Sequence, residues 1–176
     1  MDTAQLLKEK CDGATVAPRR VLFVCTGNTC RSPMAAALLN DLSRPRELCS
    51  AQGEMTRPCY VATSAGLYAH EGEPITPAAA QALQEAGVTP RPDNDYTAHR
   101  ARSVSAELVA EADAVVGLTA SHAMQLMLRF PEAASKISTL PMDISDPFGC
   151  SAEVYRDCLA QLRYAIELSF FTEDTK

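Results

Sequence analysis

Cys25 and Arg31 bracket the stretch Cys25-Thr26-Gly27-Asn28-Thr29-Cys30-Arg31, a thiol and a guanidinium with five residues between them. That pairing suits chemistry on a phosphate: a thiolate attacks phosphorus while a planar fork holds two of its oxygens. Spacing alone is weak evidence, because with seven Cys and twelve Arg in 176 positions chance supplies such a pair in about half of comparable chains. The surroundings strengthen it. Val21 to Cys25 is an unbroken apolar run, as expected of a strand covered on both faces, and Ser32-Pro33 reads as an N-cap and a first-turn proline opening a helix through Met34 to Leu39. A short loop between a strand end and a helix N-terminus aims successive N–H groups at one point, and Gly27 and Asn28 tolerate the positive φ such a cradle requires. An unassisted thiol with a pKa of about 8.5 is only about 3% ionised at neutral pH, so a nucleophile at Cys25 needs those donors, with the Ser32 hydroxyl as one more.

The rest of the chain supplies elements able to carry that loop. Tyr60 to Thr63 forms a second strand ending in Ser64-Ala65-Gly66, and Pro77 opens an Ala-rich helix that stops near Gly87. Asp113 to Thr119 is a third strand, Ser121 caps a helix to about Phe130, and a fourth strand follows at Ile137 to Leu140. The last helix spans Ala152 to Phe170, with Val154, Cys158, Leu162, Ala165 and Ser169 on one stripe beside Leu159 and Ile166. Strands alternating with helices predict an α/β fold: a single three-layer α/β/α domain on a four-stranded parallel sheet, its ligand crevice beyond the carboxyl ends of the strands. The domain is expected over residues 20–172, after a polar leader at 1–19. It contains a long connection at 43–59, with one short helix expected around Glu47 to Gln52.

Composition excludes several function classes. At 176 residues with 47% hydrophobic side chains the chain can build a core without a metal or disulfide staple. A net charge of −6 argues against a broad nucleic-acid or anionic-membrane footprint, so a bound anion must be held locally. The odd cysteine count, without a C-x-x-C pair or zinc-module spacing, points to a reducing compartment and no metal. No stretch approaches the 18 or so apolar residues of a membrane span, and the charged N-terminus does not resemble a signal peptide, so the expected location is the cytoplasm.

The run Val24 to Ala35, Val-Cys-Thr-Gly-Asn-Thr-Cys-Arg-Ser-Pro-Met-Ala, resembles the active-site loop of the low-molecular-weight protein tyrosine phosphatases. Ser64-Ala65-Gly66, Ala98-His99-Arg100-Ala101-Arg102 and Asp146-Pro147-Phe148-Gly149 are similar to further motifs of that family, in the same order. The resemblance implies a flavodoxin-like phosphotyrosine phosphatase I fold and a cofactor-independent hydrolase acting on phosphorylated protein side chains. In this reading Cys25 attacks phosphorus to form a cysteinyl-phosphate, and Arg31 and the backbone of Thr26 to Cys30 bind the phosphate. Asp146 protonates the leaving group and then activates water. Asn28, Ser32, Ser64 and His99 form a supporting network, Phe148 is the aromatic wall of the entrance, and Cys30 is able to pair reversibly with an oxidised Cys25. His70 and His122 match no site of the family, and Asp143 is the weaker candidate acid because it does not precede proline.

Thr29 departs from the bulky aliphatic residue of the tyrosine-specific members and resembles the bacterial protein arginine phosphatases, as does Phe148-Gly149, although Cys150 differs from that branch's second glycine. The substrate is thus expected to be a phosphoarginine or phosphotyrosine protein, and the enzyme a monomer. Two alternatives share parts of the pattern. Arsenate reductase is disfavoured by Pro33, which stands where glutamine is usual, and by the lack of a mid-chain cysteine pair; a phosphocysteine phosphate carrier is disfavoured by Asp146, for which a carrier has no use.

Overall fold

The computed structural model describes residues 17–44 and 59–172. Most of the polar leader and of the connection, with the helix expected around Glu47 to Gln52, lies outside the described residues. Four strands, β1 (Arg19–Cys25), β2 (Tyr60–Gly66), β3 (Ala114–Gly117) and β4 (Ile137–Thr139), form one parallel sheet in the order β2-β1-β3-β4. The helices are α1 (Arg31–Leu42), α2 (Pro77–Glu85), α3 (Ala106–Glu111), α4 (Ala120–Arg129) and α5 (Ala152–Phe170), with 3-10 turns at Tyr96–Ala98 and Pro131–Lys136.

Period-two alternation along β1 divides the core. Val21, Phe23 and Cys25 point to the face covered by α1, α2 and α5, and Leu22 and Val24 to the face covered by α3 and α4. From β1 the chain steps outward to β2 and then crosses to β3 on the other side, so the β1–α1 loop stands where the strand order reverses, the usual ligand crevice of such sheets. Helix α1 is buried continuously from Arg31 to Leu39, which explains why its sequence shows no polar stripe.

Several boundaries differ from the sequence expectation. Helix α1 begins at Arg31 with Cys30 as its N-cap residue, not with Ser32; Pro33 is still accommodated because first-turn N–H groups have no intrahelical acceptor. The cap of α4 is Thr119, whose hydroxyl accepts from the His122 N–H at 3.2 Å, and not Ser121. β2 continues through Gly66, and β3 is shorter than expected, at Ala114–Gly117. The buried stripe of α5 runs through Tyr155, Cys158, Leu159, Leu162, Ala165 and Ile166, leaving Val154 and Ser169 outside, a rotation that the apolar character of Val154 concealed.

Two glycines are required by close approach. A Cβ on Gly66 would stand 2.7 Å from the carbonyl oxygen of Thr26, and one on Gly117 would stand 2.6 Å from the N of Ala123. β2 therefore runs directly beneath the loop, where Leu67 N–H donates to the Cys25 carbonyl and Tyr68 N–H to that of Thr26, both at 2.9 Å.

Candidate active site

The strand–loop–helix connection closes around Asn28, whose φ of 59° is the only positive value among the described non-glycine residues. A left-handed backbone costs an L-residue roughly 1–2 kcal/mol, less for Asn, and must be held from outside. The whole Asn28 side chain is used for this. Its amide nitrogen donates to Ser32 Oγ and Ser64 Oγ, each at 2.9 Å, and its Oδ1 accepts from the Arg102 N–H at 3.0 Å. The His99 Nε2–H donates to the Asn28 carbonyl at 2.7 Å.

This turn points the Asn28 N–H at Cys25 Sγ, 3.4 Å away, while Ser32 Oγ lies 3.0 Å from the same sulfur. Because Ser32 Oγ accepts from Asn28, its own proton has two acceptors within reach, the Ala65 carbonyl at 3.3 Å and Cys25 Sγ at 3.0 Å, and a Cys25 thiolate is the nearer and the charged one. The Ser32 hydroxyl thus serves the sulfur rather than the helix terminus. The Cys30 sulfur lies 3.3 Å from the Tyr155 hydroxyl and 3.4 Å from Thr76 Oγ1. Burial, and then the contact with Cys30, push the Tyr155 phenol up to about 12. Cys158 is also pushed up to about 12, chiefly by burial, and remains a thiol at neutral pH.

Arg31, only 5% exposed, sends Nη1 to the Ile144 carbonyl at 3.2 Å and Nη2 to Asp146 Oδ2 at 2.8 Å. Its Nε–H is buried without a partner among the described residues. Leaving a buried donor unpaired costs about 1–3 kcal/mol, a cost that an arriving oxyanion removes. The Asp146 loop is tied to the residue that follows β3, since Ile144 N–H donates to the Leu118 carbonyl at 2.9 Å, and Asp146 Oδ1 accepts from the Phe148 N–H at 3.2 Å. Asp143 instead accepts from the first N–H of α4, on Ala120, at 2.8 Å.

Cys25 to Arg31 and Asp146 line one cleft of about 260 Å³, flanked by Tyr68 and Phe148. Phe148 is 67% exposed, so it stands at the entrance and does not anchor in the core. Thr29 also lines this cleft; Ser32, Ser64 and His99 lie behind it as partners of Asn28 and Cys25. Among the described residues no group of three or more His, Cys, Asp or Glu side chains is placed to hold a metal ion.

Sequence reasoning missed Tyr68, His70 and Glu73, which line the cleft, and three residues around it. His122, set aside for want of a family match, lies with Nε2 3.0 Å from Thr26 Oγ1 and Nδ1 3.0 Å from Thr119 Oγ1, linking α4 to the loop. Burial and then Arg31 lower its pKa, against the opposing pull of Asp146 and Asp143. Arg102 acts through its main chain, which no side-chain pattern signals. Tyr155, the first buried residue of α5, faces Cys30 where the sequence reading puts Val154 on the stripe.

The geometry agrees with the comparisons to known proteins. A family model described as low molecular weight phosphotyrosine protein phosphatase matches residues 20–172. The chain belongs to this family. It is 38% identical to a protein-arginine-phosphatase of Geobacillus stearothermophilus, covering 85% of this chain and 93% of that protein. To a protein-arginine-phosphatase of Bacillus subtilis it is 32% identical over 81% of this chain and 88% of that one. A solved low molecular weight protein tyrosine phosphatase from T. tengcongensis superimposes with a TM-score of 0.70 at 37% identity, covering 85% of this chain and 95% of the other. The chain is accordingly a cysteine-dependent protein phosphatase on a flavodoxin-like α/β scaffold, a hydrolase. The arsenate-reductase and phosphate-carrier readings receive no support from these relatives.

Proposed function

We propose that the chain removes phosphate from phosphoarginine side chains of proteins through a cysteinyl-phosphate intermediate. The observation that carries this reading is the convergence of Cys25 Sγ, the unpaired Nε–H of Arg31 and the Asp146 carboxyl on one cleft that Thr29 also lines.

The first step forms an S–P bond from Cys25 and breaks the P–N bond in line. Loop N–H groups and the Arg31 fork hold the equatorial oxygens, and Asp146 passes its proton to the departing nitrogen. Arrival of a phosphate dianion disengages Asp146 from Arg31, and a proton on the carboxyl removes the repulsion between the two anions. In the second step Asp146 takes a proton from water, which attacks phosphorus and breaks the S–P bond. The released thiolate is received by the Ser32 hydroxyl and the Asn28 N–H.

Thr29 favours arginine because a planar phosphoguanidinium carries N–H donors beyond the scissile bond, and a hydroxyl in the cleft wall accepts where an aliphatic side chain would not. Two relatives named as arginine phosphatases support this reading. Phosphotyrosine is the second reading, favoured by Tyr68 and Phe148, which flank the cleft and suit a phenyl ring. A thiol nucleophile suits a reducing compartment, and Cys25, Cys30, Cys150 and Cys158 are free thiols, so we place the enzyme in the cytoplasm. Among the described residues no helix is long and apolar enough to cross a membrane.

Phosphate release from matched phosphoarginine and phosphotyrosine peptides tests the assignment. Preference for phosphoarginine that Thr29→Ile reverses supports it, preference for phosphotyrosine overturns the arginine reading, and turnover surviving in Cys25→Ser overturns the mechanism.

A further inference from the structure

A second pocket, about 380 Å³ and larger than the catalytic cleft, opens between α1, β2 and the segment 91–102. Its floor is made of small apolar side chains, Pro33, Ala36, Ala37 and Ala62, and its volume falls in the range of small-molecule sites. The wall opposite α1 is fastened in place. Asn94 donates to the Ala37 carbonyl at 2.9 Å, Arg91 pairs with Asp41 at 3.0 Å, and the Tyr96 hydroxyl donates to the Val88 carbonyl at 2.8 Å. The cavity is therefore a formed feature of the fold, not a gap between loose loops.

Its charges are unequally committed. Asp93 is paired with Arg91 at 2.7 Å, and Asp95 caps the turn at Thr97, accepting from its N–H at 3.1 Å. Arg100 spends only Nη1, on the His99 carbonyl at 2.7 Å, and Arg102 only Nε, on the Ser64 carbonyl at 3.0 Å. The remaining guanidinium donors of both residues have no partner among the described residues. Two forks with donors to spare, on an apolar floor, suit an oxyanion borne on a small hydrocarbon body.

The same wall holds the catalytic loop. Ser64, His99 and Arg102 line this pocket, and these three residues supply every contact to Asn28 described above except those with Ser32 and Cys25. Asn28 thus stands with its N–H toward the nucleophile and its anchors in the wall of a different cavity. A ligand gripping Arg102 acts on the residue whose main chain positions the Asn28 side chain.

We propose that this pocket is a second ligand site, taking a small organic phosphate or carboxylate on Arg100 and Arg102, and that its occupancy alters turnover through Arg102, His99 and Ser64. The kinetic half rests on the catalytic reading given above; the binding half does not. The test uses the full chain with its catalytic cleft saturated by orthovanadate, titrated with phenylphosphonate and, separately, benzoate. The NMR signals of the Arg100 and Arg102 Nε–H groups and the Asn28 amide are followed, and kcat/KM for p-nitrophenyl phosphate is measured with and without benzoate.

Saturable shifts at all three residues are expected with at least one probe, the stronger identifying the preferred anion, together with a change in kcat/KM of about fivefold or more. Arg100→Ala is expected to keep its basal kcat/KM and to bind the probe about tenfold more weakly. The absence of saturable shifts with either probe overturns the site, as does an Arg100→Ala variant that binds and responds unchanged. Shifts without any effect on turnover overturn the coupling. An enzyme that never turns over, yet still shows the shifts, counts against the catalytic reading and supports the site.

Discussion

Asn28→Asp keeps size and left-handed tolerance while exchanging donors for acceptors, so it tests the loop network with little disturbance of packing. In the native arrangement the Asn28 amide donates to Ser32 Oγ and Ser64 Oγ, which leaves the Ser32 proton for Cys25 Sγ at 3.0 Å or the Ala65 carbonyl at 3.3 Å, and a thiolate draws it to the sulfur. An aspartate has no N–H to give, so Ser32 must donate to it, and the sulfur loses its hydroxyl donor. A hydrogen bond to a charged group is worth about 1.5–3 kcal/mol, which at about 1.4 kcal/mol per decade is a loss of roughly 10- to 150-fold in turnover. The new carboxylate beside the thiolate adds to that loss. The contact from the Arg102 N–H survives, since Oδ1 remains an acceptor. Two assays separate the cause: kcat for p-nitrophenyl phosphate, and the pH dependence of Cys25 alkylation by iodoacetamide, which reads the thiolate population. The expected result is a fall in kcat with the alkylation profile displaced to higher pH and melting nearly unchanged. A variant within threefold of wild type, with an unshifted profile, would refute the claim that Asn28 sets the direction of the Ser32 proton.

Gly66→Ala places a methyl 2.7 Å from the Thr26 carbonyl oxygen and 3.1 Å from Asn28 Cβ, so it should destabilise by about 1–3 kcal/mol and lower kcat, read by urea unfolding and p-nitrophenyl phosphate turnover. The His99 imidazole lies below its ordinary pKa, chiefly through burial and further through Arg102 and Arg100, as does His122 through burial and Arg31. Such groups bind fewer protons folded than unfolded, so stability should fall as pH is lowered through about 6.5. Unfolding midpoints at several pH values should show a shallower fall in His122→Asn. Peroxide treatment should yield a Cys25–Cys30 disulfide and activity recoverable with thiol reductant, checked by peptide mass mapping; irreversible loss without that link would remove the protective role of Cys30.

The β1–α1 connection was legible because its constraints are local: an apolar run, a residue suited to a left-handed turn and a cation at the helix start, although Asn28 alone takes the positive φ expected of both Gly27 and Asn28. Even there the N-cap was misread, because Ser32 carries the signature of a cap while its hydroxyl is drawn inward by Cys25 and Asn28. Asp146 was legible only through resemblance, since Asp-Pro by itself describes a turn. Its approach to Arg31 comes from Ile144, whose N–H is tied to Leu118 at the end of β3 and whose carbonyl accepts from Arg31. His122 and Arg102 were not legible as participants, because their contacts with the loop span 96 and 74 residues. Short α3 was missed as well; six residues with one buried apolar side chain, Val109, leave too little periodicity to read.

The pairing of Arg31 with Asp146 separates catalytic from structural roles for the acid. The two groups meet at 2.8 Å, but the Asp146 side chain is 51% exposed, so the ion pair should contribute no more than about 1 kcal/mol to stability. Asp146→Asn is therefore expected to melt within a few degrees of wild type. It also frees Arg31 from a competing carboxylate, and inorganic phosphate should inhibit the variant at a lower concentration than it inhibits wild type. Turnover should behave in the opposite sense. Loss of a general acid commonly costs about 10²- to 10⁴-fold, and the cost should grow with the basicity of the leaving group, smallest for p-nitrophenyl phosphate and largest for alkyl esters. Equal losses across that series, or phosphate binding weakened along with turnover, would show that Asp146 shapes the pocket instead of supplying the proton.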